Sequence, residues 1–256
     1  MINVNSYLQQ PPTQSTEANA SRTRSATKQV DNAGSDKTPE PNLSPLARQL
    51  NEAQARADVR DASMDRDALA SKAKTITDQL IGRSYHNNKA RHDAEVPDTD
   101  NPVLLERAKQ ATDFVNGKGS NPFIGMAPDQ LTLIIYDESD AFTVNERRAA
   151  WKEQYDQRQE WKKQIVAEIM RESKEKGTII GGLTKVLEHY ENLPPIEQAQ
   201  YPDFWLASLN SQIAHYGNQD SLSGEGRKSL LELMEPAGLR DNLEGFLQQV
   251  NEEQQG

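Results

Sequence analysis

The sequence predicts an all-α protein, an irregular multi-helix bundle preceded by a disordered N-terminal tail. Apolar residues recur at helical spacing in successive segments from Leu46 onward. Capping residues, prolines or glycines stand at the segment ends, and no stretch alternates apolar and polar residues with period two. No internal repeat competes with this reading. The organisation expected is a polar tail over residues 1–42, a long amphipathic or broken helix over 43–82, and a helical domain over 101–251.

Residues 1–42 consist mainly of Ser, Thr, Gln, Asn and Pro, with four basic residues offsetting four acidic ones. Such a composition can neither bury a core nor hold a fixed path. A tail of this kind serves as a flexible linker, or as the uncleaved polar N-terminus by which bacterial type III and flagellar-type systems recognise cargo. Helix begins at Leu43-Ser44-Pro45, where Ser44 is a cap and Pro45 suits a first turn whose N–H would be unpaired anyway. Leu46, Leu50, Ala53 and Ala57 follow at helical spacing, and Leu69, Ala73, Ile76 and Leu80 resume it before Gly82. The polar run between them predicts a break near Asp61 to Met64, and so thin an apolar stripe needs a partner surface.

An irregular, charged connection is expected from Tyr85 to Asp100. Asn101-Pro102 then opens a helix with Val103, Leu104, Ala108, Ala111, Phe114 and Val115 on its inner side, stopped by Gly117. A short helix from Pro128 carries Leu131, Leu133, Ile134 and Ile135. A long one runs from Thr143 to about Lys176 with Trp151, Tyr155, Trp161, Ile165 and Ile169 as its stripe, and Gly177 ends it. Thr178 to Glu191 gives another, built on Ile179, Ile180, Leu183, Val186, Leu187 and Tyr190, although Gly181 and Gly182 each cost about 1 kcal/mol of helix stability. Pro194-Pro195 breaks the chain, Ile196 to Tyr216 forms a helix closed by Gly217, and residues 226–250 form two helices split at Pro236 and Gly238.

Composition bounds the chemistry. A hydrophobic fraction of 35% in 256 residues is low for a chain folded throughout. The formal net charge of −10 opposes binding to nucleic acid or anionic membranes, so the partners expected are proteins. The absence of cysteine excludes disulfides, thiolate catalysis and thiolate-bound zinc. No run of about 18 apolar residues suggests membrane insertion. The first thirty residues lack the basic start and apolar centre of a secretory signal peptide. The location expected is the bacterial cytoplasm, or the exterior by a route without a cleaved signal.

The acidic stretch IIYDESDAFT, Ile134 to Thr143, is the candidate site. A calcium loop of the EF-hand type needs oxygen ligands at positions 1, 3 and 5, glycine at 6, a hydrophobe at 8 and glutamate at 12. With Asp137 at position 1 three of these fail together, since Ala141, Phe142 and Arg148 fall at 5, 6 and 12. With Ile135 at position 1, Asp137, Ser139, Phe142 and Glu146 fall at 3, 5, 8 and 12, while Asp140 stands where glycine is required. That makes Asp137, Ser139, Asp140 and Glu146 a candidate metal set, whose low charge implies calcium affinity no tighter than about millimolar. The competing reading is a turn: Thr143-Val144-Asn145-Glu146 spells a capping box that engages the same glutamate. Arg147 and Arg148 oppose the macrodipole of the helix they begin, so Asp137, Glu138 and Asp140 are expected to compensate them.

Other motifs give less. NGKGSNPFIG, residues 116–125, lacks the first glycine and the hydroxyl residue of a phosphate loop and follows a helix, so it reads as a helix end and a loop. His86 and His92 do not share a helical face, and His189 and His215 stand at helix ends, so all four histidines are expected as caps or surface. Trp151, Trp161, Phe204 and Trp205 are expected in the core rather than in a ligand groove. There is no Gly-x-Ser-x-Gly nucleophile elbow, and no catalytic residue is assigned.

YDESDAFTVNERRAAW at 136–151, with NPFIGMAPDQLTLI before it and ENLPPIEQAQYP after it, resembles a family of uncharacterised bacterial proteins over roughly residues 43–217. Relatives often carry glycine in the turn where this chain has Ser139 and Asp140, and the resemblance implies no activity or catalytic residue. NLSPLARQL is similar to short segments that follow disordered tails in flagellum-associated regulators. The leading expectation is a noncatalytic helical interaction or regulatory protein, exported through a type III or flagellar-type route or retained. The alternatives are a helix-loop-helix calcium responder and a secreted effector enzyme without a recognisable motif.

Overall fold

The computed structural model describes residues 43–220; the tail over 1–42 and the helices expected over 226–250 lie outside the described residues. Within them the chain is all-α, with no strand. Ser44 caps α1 (Pro45–Ser63), its hydroxyl accepting from the Ala47 N–H at 3.2 Å. The expected break falls at Met64, which is extended, and Asp65 caps α2 (Arg66–Ile81) by accepting from the Ala68 N–H at 2.9 Å. The two candidate stripes converge on one core, with Leu50, Ala53, Leu69, Ala73, Ile76 and Leu80 buried together. A Cβ on Gly82 would meet the Asp78 carbonyl oxygen at 2.6 Å, so the chain can leave α2 at this angle only through glycine.

The connection after α2 is irregular only from Ala94 to Asp100. It holds two single-turn helices, α3 (Arg83–Asn87) and α4 (Lys89–Asp93), which bury Tyr85 and His92. One turn is too short to show a period, and such helices exist because tertiary packing holds them. Asn101 caps α5 (Pro102–Val115), whose inner face carries Leu104, Ala108 and Ala111. Val103, expected inside, is 60% exposed because it is rotated about 100° from Leu104. The third short helix expected is α6 (Pro128–Ile135), with Leu131, Ile134 and Ile135 buried.

The long helix α7 (Val144–Lys176) has the expected limits: a complete capping box at Thr143 and Glu146, and Gly177 in the left-handed conformation at φ 72°. Its buried face is not the expected aromatic stripe. Of that stripe only Ile165 is buried, whereas Asn145, Glu146, Arg147, Ala149, Ala150 and Gln154 all are. Alanines let the backbones of α6 and α7 approach, and polar groups satisfy one another beneath them, so the apolar period misplaces the inner face by part of a turn.

Beyond α7 lie α8 (Ile180–Glu191), α9 (Pro195–Gln198) and α10 (Trp205–Asp220). The single helix expected over Ile196 to Tyr216 is therefore two. Pro202 lacks an N–H and disfavours helix at Tyr201, so the chain breaks between them. Gly217 does not close α10, which continues to Asp220. Phe204, expected in the core, is 60% exposed. A second apolar cluster of Ile179, Leu183, Leu209 and Tyr216 joins α8 and α10 to the far end of α7, through Ile169. The costly glycine pair has its reason there: a Cβ on Gly182 would stand 2.2 Å from Ile169 Cγ1. Among the described residues no helix is long and apolar enough to cross a membrane.

Candidate functional site

The turn from Tyr136 to Thr143 lies between α6 and α7, and Asp137 and Glu138 within it are held by cations from other helices. Asp137, whose side chain is 3% exposed, accepts two bonds from Arg56 of α1, from Nε at 3.0 Å and from Nη2 at 2.7 Å. It also accepts from the Ser139 N–H at 3.2 Å and the Ser139 hydroxyl at 2.9 Å. Glu138 pairs with Lys72 of α2. Asp140 takes the left-handed conformation, φ 62°, where the calcium-loop register calls for glycine. An aspartate tolerates that conformation better than most side chains, so the turn keeps its shape without glycine.

Glu146 has a fully buried side chain, 0% exposed, with both oxygens engaged. Oε2 accepts from the Thr143 N–H at 2.8 Å, and Oε1 accepts from Arg107 Nε of α5 at 2.7 Å. The Arg107 guanidinium lies over the Phe142 ring at 5.2 Å and donates from Nη2 to Gln49 Oε1 at 2.8 Å. Gln49 in turn donates to the Ala141 carbonyl at 2.9 Å, closing a loop of bonds through α1, α5 and the turn. Arg147 is buried and donates from Nε to the Ile135 carbonyl at 3.0 Å. Burial lowers its pKa, opposed by the charges of Glu138, Asp137, Glu95 and Asp140. These anions offset the burial only in part, and Asp137 and Glu138 are ion-paired to Arg56 and Lys72 rather than to Arg147. Arg148 departs from expectation, stacking over Tyr85 at 4.0 Å and donating to the Leu80 carbonyl.

Of the four candidate metal residues, the structure joins Asp137 and Ser139 directly, with Arg56 on the same Asp137 carboxylate, places Glu146 in a separate clamp with Arg107, and puts Asp140 in neither. Among the described residues no group of three or more histidines, aspartates or glutamates is placed to hold a metal ion. The clamping residues Arg56, Arg107 and Gln49 escaped the sequence reading because their partners are distant in the chain. A signal was present: Arg107 falls at the edge of the apolar face formed by Leu104, Ala108 and Ala111, where a charge needs a buried partner.

A second polar group gathers at the Tyr136 hydroxyl. Buried Glu197 of α9 accepts from Arg158 of α7 at 3.0 Å, and the Tyr136 hydroxyl accepts from Gln200 at 3.0 Å. Burial first, and then the Glu197 charge, push the Tyr136 phenol well above its ordinary range, so it stays protonated. The histidines depart from the expected surface roles in two cases. His92 is buried and stacks on Tyr85 with ring centroids 5.3 Å apart, and His189 stacks on Trp161 at 3.9 Å. Burial lowers the pKa of each.

This arrangement of carboxylates engaged by guanidinium groups fixes backbone positions. No protein-family model, curated protein or solved structure matches the chain.

Proposed function

We propose that the protein is a noncatalytic helical interaction or regulatory protein, with residues 1–42 acting as tether, regulatory segment or export determinant for a type III or flagellar-type route. The observation that supports this reading is the pair of clamps, Arg56 to Asp137 and Arg107 to Glu146. The acids that the sequence offers for chemistry are invested in holding α1, α5 and α7 to one turn. A frame stiffened in this way presents its outer surface, including the exposed Phe204, Met170 and Ile124, in a fixed arrangement to a protein partner. Affinity capture with the full chain and with a chain lacking residues 1–42 tests the tail. Loss of partner recovery or of export on deletion is expected, and unchanged recovery and export would remove the tail from the function.

A weak calcium responder is the second reading. It is favoured by the left-handed Asp140 at the sixth loop position, which gives the turn the backbone bend such loops use.

A further inference from the structure

The segment from Arg83 to Glu95 lies across the start of α7 as a strap. The Tyr85 hydroxyl donates to Asn145 Oδ1 at 2.8 Å, and Asn145 Nδ2 donates to the His92 carbonyl and to Asp93 Oδ1, each at 3.2 Å. Glu95 Oε2 accepts from the Val144 N–H at 2.9 Å, serving an otherwise orphaned donor of the α7 first turn. Asn145 is fully buried, and His92, a residue 6% exposed, packs its ring flat on Tyr85 at an interplanar angle of 14°.

We propose that this strap is an acid-released latch on the start of α7, opened by protonation of His92. The charged neighbours of His92 decide what a proton does there. From its own segment come Arg91, Asp93 and Glu95, with Lys89 bound to Asp93 at 2.6 Å. From α3 comes Tyr85, with His86 against its edge, and from α7 comes Arg148, whose guanidinium lies 4.0 Å from the Tyr85 ring centre on which His92 stacks. α5 contributes the uncharged Thr112 and Asn116, through Asn145 and Asp93. An imidazolium there meets Arg91 as a like charge. The carboxylates able to neutralise it, Asp93 and Glu95, are already committed to α7 and α5. Drawing either one toward the imidazolium competes with its bond to Asn145 or to the α7 N-terminus, and that competition loosens the strap.

Burial and Arg91 already favour neutral His92, so opening should begin below about pH 6.5, rising up to ~10-fold per pH unit until the lowered value is reached. Amide hydrogen exchange of the full chain between about pH 7.5 and pH 5.5, corrected for intrinsic rates, measures this. Protection should fall over residues 83–95 and 143–148, and His92→Phe, which keeps a flat ring without the proton, should abolish the response. Protection in that segment independent of pH, or an unchanged acid response in H92F, overturns the latch. Should H92F fold poorly, NMR titration of the wild-type chain decides the matter. The His92 ring protons and the Asn145 side-chain amide should change with one midpoint, and His92 titrating while Asn145 stays fixed would overturn the proposal.

Discussion

Replacing Arg107 by methionine should destabilise the fold severely, and the size follows from what it leaves behind. Glu146 is 0% exposed, and without Arg107 its Oε1 loses its cation in a place that water does not reach. Breaking a buried pair by removing one partner costs roughly 3–5 kcal/mol. Arg107 is itself only 10% exposed, so little solvent screening reduces that figure. Its bond to Gln49 and its stacking over Phe142 are lost as well. The same reasoning gives a smaller cost for Arg56→Met. Arg56 is 39% exposed, so water reaches its partner once the guanidinium is gone, and about 1–2 kcal/mol is expected. Urea denaturation followed by tryptophan fluorescence gives both values from the shift in midpoint at constant slope. A double-mutant cycle of R107M with Glu146→Gln should then return a coupling of at least ~1.5 kcal/mol. A loss below about 1 kcal/mol in R107M, or a cost for R56M that equals or exceeds it, would refute the assignment of Arg107 as the central clamp.

Further outcomes follow from the same geometry. Gly182→Ala should destabilise by about 1–3 kcal/mol despite alanine's better helix propensity, because its methyl group enters the space of Ile169 Cγ1; a stabilised variant in thermal melts would show that α7 and α8 are not so close. At the left-handed Asp140, glycine should be neutral or stabilise by up to ~1 kcal/mol while valine costs about 1–2 kcal/mol, a ranking that melting temperatures check. His92 and His189 both have lowered folded-state pKa values, so the unfolded chain binds more protons as pH falls. Stability should therefore be complete above about pH 6.5 and decline below it, which urea midpoints at several pH values will show. Stability that rises on acidification through this range would contradict the burial of both rings.

Most of the helices were legible because their ends are written locally. Ser44, Asp65, Asn101 and the Thr143–Glu146 capping box act within a few residues of themselves, and the apolar stripes between them show the period directly. The strap was not legible, since α3 and α4 are one turn each and owe their form to Asn145 and to the Tyr85–His92 stack. The inner face of α7 was misread for a related reason. It is lined with alanine and with polar side chains whose partners, Arg107 and Thr132, are contributed by other helices. At the acidic turn the capping box could be read from four consecutive residues, but the cations that engage Asp137 and Glu146 could not, because 81 and 39 residues separate each pair in the chain.

Calorimetric titration of the intact chain with calcium, run beside the Glu146→Gln variant, tests most directly whether these carboxylates serve as fasteners rather than ligands. With Asp137 held by Arg56 and Glu146 by Arg107, neither protein should release saturable heat at millimolar calcium. A saturable one-site isotherm in the intact chain, lost in E146Q, would contradict the account.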